Sequence, residues 1–338
     1  MFKRIIVPLD GSSQAEQAIS VAARIARANH GTIVLLHAVK PLIDYGYTPH
    51  PLRSSSFTES LQEQDLERAQ DYLTTVSYQD VLTGMKVERV ALIGLAAPVI
   101  LAYTRIHSAD LIVMSSHGST GVQRWAIGSV TQKIARLSTI PVLVVHAENA
   151  SATEFQHPAT RPLRALIALD GSPLAETVLL PAIQVMSALA AEMQGELHLI
   201  RIVKRASEYK HRKIATNALE QTQQEAANYL GTIAKRVSAG IAVEYGVKVT
   251  WSELVSDDVA ATLINAAEVG IAEGPMDGCD MLALATHGRT GLQHWMLGSI
   301  TERILGNTTL PLLIVRPQEV PATVHEEATK GLKVATGL

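Results

Sequence analysis

Two segments of this chain combine the residue types that bind phosphate. Each has a short turn of small and polar residues ending in glycine and, nine residues later, a Gly-Ser pair. The members are Ser115, Ser116, His117, Gly118, Gly128, Ser129 and Val130 in the first segment, and Ala285, Thr286, His287, Gly288, Gly298, Ser299 and Ile300 in the second. An apolar run precedes each turn and a helical pattern follows each Gly-Ser. Because a strand that leads through a glycine loop into a helix directs backbone amides at an anion, the spacing predicts two phosphate sites.

Two further motifs place an aspartate directly after an apolar run. They are Pro8-Leu9-Asp10-Gly11-Ser12 and Ala168-Leu169-Asp170-Gly171-Ser172. A carboxylate at the end of a strand accepts hydrogen bonds from the hydroxyl or amine groups of a ligand. The same pattern is also that of an ordinary turn followed by a helix cap, with Ser12 or Ser13 as the capping residue. From these residues alone both interpretations stay open.

Alternating strand and helix patterns surround these motifs. In the first half we expect strands at 3–10, 32–39, 86–93, 110–115 and 142–145, and helices at 15–28, 61–81, 96–107 and 129–137. The stretch 41–60 has no periodicity and is expected to be a long loop, with 44–50 as a candidate lid over a ligand. Strands that alternate with helices predict a parallel sheet with helices on both faces.

The whole pattern occurs twice along the chain. Residues 1–147 form the first expected domain, 148–162 a polar linker, 163–317 the second domain and 318–338 a polar tail. A chain of 338 residues fits about two domains. Since solenoid repeats span only ~20–50 residues, a repeat of this length is a repeated domain.

Composition limits the classes of function. Hydrophobic residues make up 47% of the chain, and the formal net charge of −3 argues against nucleic acid or an acidic membrane as partner. Cys279 is the only cysteine, so no disulfide forms within the chain and a cytoplasmic location is expected. The longest apolar runs, around 91–103 and 178–191, contain proline and are predicted to be too short to span a bilayer.

Several of the polar residues near these motifs also have plain structural interpretations. We expect His117 and His287 to hydrogen-bond the backbone of their loops rather than to act in catalysis, and His37 to pack at a strand end. Ser129 and Ser299 would cap their helices with or without a ligand. No group of His, Asp and Cys has the spacing of a zinc site, so we predict no metal ligand and no catalytic residue.

Together these motifs resemble the universal stress protein family in its tandem two-domain form. The family signature is Gly, two residues, Gly, nine residues, then Gly-Ser or Gly-Thr. Its second part matches Gly118 to Ser129 and Gly288 to Ser299. The likeness covers roughly residues 2–147 and 163–317.

The second copy departs further from this pattern than the first. Small residues replace the first signature glycine in both copies, namely Ser115 and Ala285. In addition, Ala168 stands where the first half has Pro8, and Arg201 stands where it has His37. The second site is therefore expected to match the family pattern less closely than the first.

The resemblance implies a fold and a ligand. In the family each domain is a doubly wound, five-stranded parallel sheet of order 3-2-1-4-5, and the ligand lies in the crevice between strands 1 and 4. The implied ligand is ATP, or ADP or AMP, with Mg²⁺ as a companion of the phosphates. By the same likeness Asp10 and Asp170 contact the nucleoside and Ala38, Val39 and Ile202 line the adenine. The amides of 116–118 and of Ser129, with the Ser129 hydroxyl, hold the phosphates.

The implied function is that of a stress-response protein that binds an adenine nucleotide and works as a nucleotide-dependent regulatory module. Two alternatives stay open: a nucleotide-free scaffold that acts through protein contacts, and a slow, metal-assisted ATP hydrolase. The sequence lacks a Gly-x4-Gly-Lys-Ser/Thr phosphate loop, which argues against fast turnover. We expect the halves to pair through their final strands as an intrachain pseudo-dimer. A homodimer and a regulatory protein partner are further expectations.

Overall fold

A computed structural model describes residues 1–41, 55–117, 127–146, 161–190, 194–205, 212–271, 277–286 and 297–317. The strands of the first half are β1 (Arg4–Leu9), β2 (Thr32–Val39), β3 (Lys86–Ile93), β4 (Leu111–Ser115) and β5 (Val142–Val145). Its helices are α1 (Ser13–Asn29), α2 (Ser55–Ser77), α3 (Ala96–Ile106) and α4 (Ser129–Leu137). A short 3₁₀ helix, Asp80–Leu82, precedes β3.

The second half repeats this order of elements. Its strands are β6 (Leu163–Ala168), β7 (Gly195–Val203), β8 (Val247–Val255), β9 (Met281–Ala285) and β10 (Leu312–Val315). Its helices are α5 (Pro173–Glu176), α6 (Leu179–Ala190), α7 (Arg212–Ala239), α8 (Ile241–Glu244), α9 (Val259–Glu268) and α10 (Ser299–Asn307). The short α5 and the longer α6 together stand where the first half has α1.

The ten strands of the described residues form one sheet in the order β3-β2-β1-β4-β5-β10-β9-β6-β7-β8. Neighbouring strands within each half are parallel, so the order 3-2-1-4-5 occurs twice and the predicted fold is confirmed. The halves meet where β5 and β10 pair antiparallel, with Leu143 opposite Leu313. The expected pairing through the final strands is therefore present.

Burial explains which strands are continuously apolar. β1 and β4 lie inside the sheet and bury nearly all their residues, as parallel strands with helices on both faces must. The outermost strands, β3 and β8, are largely half-exposed. Helix α1 packs against α6 of the other half, and both helices contribute to one buried apolar cluster. The two halves therefore share a core as well as a sheet.

Both boundaries of the predicted helix 61–81 are wrong, because helix α2 spans Ser55–Ser77. Helix α2 begins at Ser55, so the loop expected over 41–60 ends earlier than predicted. Good helix formers such as Glu59, Leu61 and Glu63 continue the helix back toward the serines, which are favoured near helix starts. The candidate lid 44–50, most of the expected linker and the tail 318–338 lie outside the described residues.

One apolar helical segment is longer than the sequence suggested. Pro173–Ala190 has the length and composition to cross a membrane, but 56% of it is buried inside the protein. Its longer helix, α6, packs on β6, β7 and α1. A core helix passes the same test of length and composition, and this burial is typical of one.

Candidate functional site

A cavity of about 450 Å³ opens at the carboxyl ends of β6, β7 and β9. The order of the sheet reverses between β6 and β9, and such switch points are where doubly wound sheets bind ligands. The start of α10 borders the cavity on one side, and one residue of α7 and two of α9 close it on the others. The crevice predicted from the sequence therefore exists in the second half.

The described second-half residues that we predicted for the site all line this cavity. They are Ala168, Asp170, Ile202, Ala285, Thr286, Gly298, Ser299 and Ile300. They come from the ends of three strands and one helix start, and the chain is folded so that they face a common space. His287 and Gly288 lie outside the described residues.

Sequence reasoning missed several lining residues. They are Arg201, Lys204, Thr222, Val259 and Leu263. Thr222 and Leu263 belong to helices whose register against the sheet has no signal in a single sequence. Arg201 could have been found, because it occupies the position of His37 in the first half and directly precedes the predicted Ile202.

The first half places its predicted residues at the equivalent strand ends. They are Pro8 and Asp10 at β1, Ala38 and Val39 at β2, Ser115, Ser116 and His117 at β4, and Gly128, Ser129 and Val130 at the start of α4. Ser115 and Ser116 are buried there. Gly118 lies outside the described residues.

Close backbone contacts hold each Gly-Ser helix start against the preceding strand. The Gly128 amide donates to the Ser116 carbonyl at 2.9 Å, and the Gly298 amide to the Thr286 carbonyl at 3.1 Å. A Cβ at Gly128 would lie 3.2 Å from the Ser116 oxygen, and one at Gly298 only 2.7 Å from the Thr286 oxygen. Close approach therefore favours glycine at position 128 and requires it, unless the backbone shifts, at position 298.

The predicted capping role of Ser129 and Ser299 is wrong. Gly128 and Gly298 are the N-caps of α4 and α10, and neither helix start has a side-chain cap. The glycines take this place because their amides already bond the strand-end carbonyl. A helix start without a side-chain cap presents backbone amides that can bind an anion.

The aspartate motifs form the same turn in both halves. Oδ1 of Asp10 accepts from the Ser12 amide at 3.1 Å and hydroxyl at 2.6 Å. Oδ1 of Asp170 accepts from the Ser172 amide at 2.9 Å and hydroxyl at 2.7 Å. Each serine then caps the next helix, so the turn-and-cap interpretation is correct. The intervening Gly11 has a φ of 86°, which favours glycine.

A tyrosine–glutamate pair lies behind each aspartate. The Tyr72 hydroxyl donates to Glu16 at 3.0 Å, and the Tyr229 hydroxyl to Glu176 at 3.1 Å. Burial, followed by the nearby glutamate charge, raises the pKa of both tyrosines well above the ordinary value. Both phenols are therefore neutral hydrogen-bond donors that fix the glutamates.

The group beside this pair differs between the halves. His37 packs edge-on against Tyr72 with ring centroids 5.8 Å apart, as expected for a packed strand-end histidine. Burial lowers the pKa of His37, while the charge of Asp10 opposes that shift. In the second half the Arg201 guanidinium lies over the Tyr229 ring, 5.5 Å from its centroid.

The expectation for the His117 ring is wrong. Its Nδ1 lies 2.9 Å from the Ser116 hydroxyl, so it bonds a side chain and not the loop backbone. Ser116 is fully buried, so its hydroxyl has the His117 ring as a partner in place of water. Burial, then the charge of His117, lowers the pKa of the nearby His146 to about 4. Among the residues that the structure describes, no group of three His, Cys, Asp or Glu is arranged to hold a metal ion.

These features define a tandem α/β protein with a candidate ligand crevice at each switch point of its sheet. The model of the universal stress protein family matches residues 1–146 and 163–316. The two matches cover most of the chain and coincide with the two structural repeats. The chain belongs to the universal stress protein family.

Individual relatives show the same organisation. A universal stress protein of Mycolicibacterium smegmatis is 23% identical over 322 residues, which are 93% of this chain and 97% of that protein. One from Thermus aquaticus is 35% identical over 146 residues, 43% of this chain and 99% of that protein. The solved structure of a universal stress protein from Archaeoglobus fulgidus matches with a TM-score of 0.58 at 17% identity, over 93% of this chain and 98% of that one. Relatives therefore occur at the size of one repeat and of both.

Proposed function

We propose that this stress protein binds ATP or a related adenine nucleotide at the carboxyl-end crevice of each half, and that it works as a nucleotide-dependent regulatory module. One observation carries the proposal: the described residues predicted for the second site line one cavity. Its volume of about 450 Å³ lies within the range of small-ligand sites.

The lining suits the two ends of a nucleotide. Ile200, Ile202 and Leu263 offer an apolar surface for a base. Asp170 lies beside them and offers carboxylate oxygen to ribose hydroxyls or an exocyclic amine. Across the cavity, Gly298 and Ser299 begin α10, where helix amides and the helix dipole attract phosphate. Mg²⁺ would accompany the phosphates.

Gly298→Val tests this assignment. The added side chain must move the Thr286 carbonyl or close the cavity, so we expect the stoichiometry of ATP with Mg²⁺ to fall by one in calorimetric titration. Gly306→Ala is the matched control, because a Cβ there meets nothing within 4 Å. It should bind like the natural chain.

Two results would overturn the proposal. Unchanged ATP stoichiometry in a folded Gly298→Val chain would remove the phosphate role of α10. A natural chain that binds no adenine nucleotide would favour the scaffold alternative. Turnover faster than about 1 s⁻¹ would instead place the protein among ordinary enzymes.

A further inference from the structure

Arg201 is a buried arginine that faces the second cavity. It lies just past the last paired residues of β6 and β7, Ala168 and Ile200, as His37 lies at the matching end of β2. It is 7% exposed and lines the cavity together with Asp170. The repeat thus replaces an imidazole by a guanidinium at one defined position of an otherwise similar site.

The replacement changes the charge of the site. Burial lowers the pKa of His37, so its ring is neutral at pH 7. A guanidinium keeps its charge at any physiological pH. The next lysine is present in both halves, as Lys40 and Lys204, and does not contribute to the difference. At this position the second half therefore has one positive charge more than the first.

Arg201 lies on the far side of the cavity from the proposed phosphate position. In the sheet, β6 lies between β7, which carries Arg201, and β9, which leads to Thr286 and α10. Neighbouring strands are about 4.8 Å apart, so β7 and β9 are separated by about 10 Å. Asp170 follows β6, between the two. The cavity therefore has a guanidinium at one end, the positive end of a helix dipole at the other, and a carboxylate between them.

We propose that the second cavity takes an adenine nucleotide that carries a phosphate at the 2′ position of its ribose as well as at the 5′ position, and that Arg201 binds the ribose phosphate and determines this specificity. This inference rests on the proposed function, because it assumes that the 5′ phosphates lie at α10. A guanidinium binds phosphate through paired, charge-assisted hydrogen bonds. In doubly wound folds that bind dinucleotides, an arginine near the ribose-binding acid accommodates a phosphate on the ribose 2′ position. The first site, with neutral His37, should prefer free ribose hydroxyls.

A purely structural role for Arg201 makes different predictions. The guanidinium contacts the Tyr229 ring, and Glu253 is its register partner on β8, although Glu253 does not line the cavity. An arginine that only balances carboxylates would support every ligand equally. Ligand preference, rather than affinity alone, separates the two roles.

The experiment compares ADP with adenosine 2′,5′-bisphosphate, which carry the same number of phosphates in different places. Each site is measured in a chain whose other site is blocked. Titrations of the Gly128→Val chain measure binding at the second site, and titrations of the Gly298→Val chain measure binding at the first. Melting curves check that each variant is folded. We expect the second site to bind the bisphosphate at least about tenfold more tightly than ADP, because one charge-assisted hydrogen bond already contributes that much and the guanidinium can form two. Arg201→His should bring that ratio near one, and the reciprocal His37→Arg should create the preference in the first site.

Three results would overturn the inference. Equal affinities for ADP and bisphosphate at an occupied second site would leave the proposed function intact and remove the ribose-phosphate specificity. Equal weakening of both ligands by Arg201→His would make Arg201 structural. If neither compound bound the second site, both the inference and the proposed function would fail there.

Discussion

The two halves keep one hydrogen-bonded framework and differ in the charge placed next to it. Glu16 accepts from Tyr72 and from the neutral amide of Gln79, at 2.8 Å. Glu176 accepts from Tyr229 and pairs with the cation of Arg236. The group that differs at the candidate site contacts the tyrosine in each half: His37 contacts Tyr72, and Arg201 contacts Tyr229. The framework lies next to the aspartate turn in both halves, and the neighbouring residue is where we propose that ligand preference differs.

A second difference lies inside the sheet. Val34 of β2 and His198 of β7 occupy matching positions in the two halves. Thr32 pairs with Arg4 and Glu196 pairs with Arg164, and each of the two residues follows two positions later. Val34 is fully buried and apolar, whereas His198 is 1% exposed and bonds the Thr250 hydroxyl at 2.9 Å and the Ser252 hydroxyl at 2.8 Å. The second half thus buries polar groups where the first half buries a hydrocarbon.

Of the differences considered, we expect His198 to have the largest effect on the free energy of unfolding, at pH values below 6.5. Burial lowers the pKa of His198 from an ordinary 6.5 to about 4, with Glu196 opposing this shift. Between these values the unfolded chain binds a proton that the folded chain does not. Stability is therefore lost as pH falls from about 6.5 to 4, by about 3 kcal/mol for this residue.

Urea unfolding of His198→Val across this pH range checks the prediction. The variant copies the valine of the first half and should show a shallower loss of unfolding free energy than the natural chain. His146, whose pKa burial also lowers to about 4, and His37, whose pKa burial lowers as well, would contribute to the remaining slope. A slope as steep as that of the natural chain would show that His198 does not carry the effect.

A smaller effect should separate the two N-cap glycines. Gly298→Ala brings a methyl group to 2.7 Å from a backbone oxygen, while Gly128→Ala leaves 3.2 Å. We expect a loss of about 2–3 kcal/mol for the first variant and about 1 kcal/mol for the second, in the range of overpacked sites.

Gly306→Ala in α10 is the reference for this comparison. It has open space and should stabilise the helix by up to about 1 kcal/mol. Chemical unfolding at neutral pH measures all three variants. Equal losses for Gly298→Ala and Gly128→Ala would mean that the backbone at Thr286 moves away from the added methyl group as readily as the backbone at Ser116 does.

The smallest effect concerns the tyrosine–glutamate pairs. Tyr72→Phe should cost about 1–2 kcal/mol, because Glu16 keeps only a neutral partner from Gln79. Tyr229→Phe should cost about 1 kcal/mol or less, because Arg236 still pairs with Glu176. Thermal unfolding of both variants measures the difference. A larger loss for Tyr229→Phe would contradict the view that Arg236 compensates.

Local sequence patterns predicted the fold and the residues of the candidate site, because the strands and the motifs at their ends are short, continuous segments. The Gly-Ser pairs, the aspartate turns and the apolar runs each occupy a few consecutive residues, and the parallel sheet order then brings them to one edge. The role of Ser129 was predicted wrongly because a serine before a helix is usually its cap, whereas here the close approach of Gly128 shifts the cap by one residue. Val259 and Thr222 were missed because helix packing, rather than spacing along the chain, brings them to the cavity.

The most direct test of nucleotide binding is native mass spectrometry of the freshly purified chain, with extraction of any bound nucleotide and no added ligand. We predict one or two adenine nucleotides per chain, and one fewer for Gly298→Val if the second site is filled. A chain that carries no nucleotide, and whose melting temperature ATP with Mg²⁺ does not raise, would contradict nucleotide binding and leave the scaffold as the function.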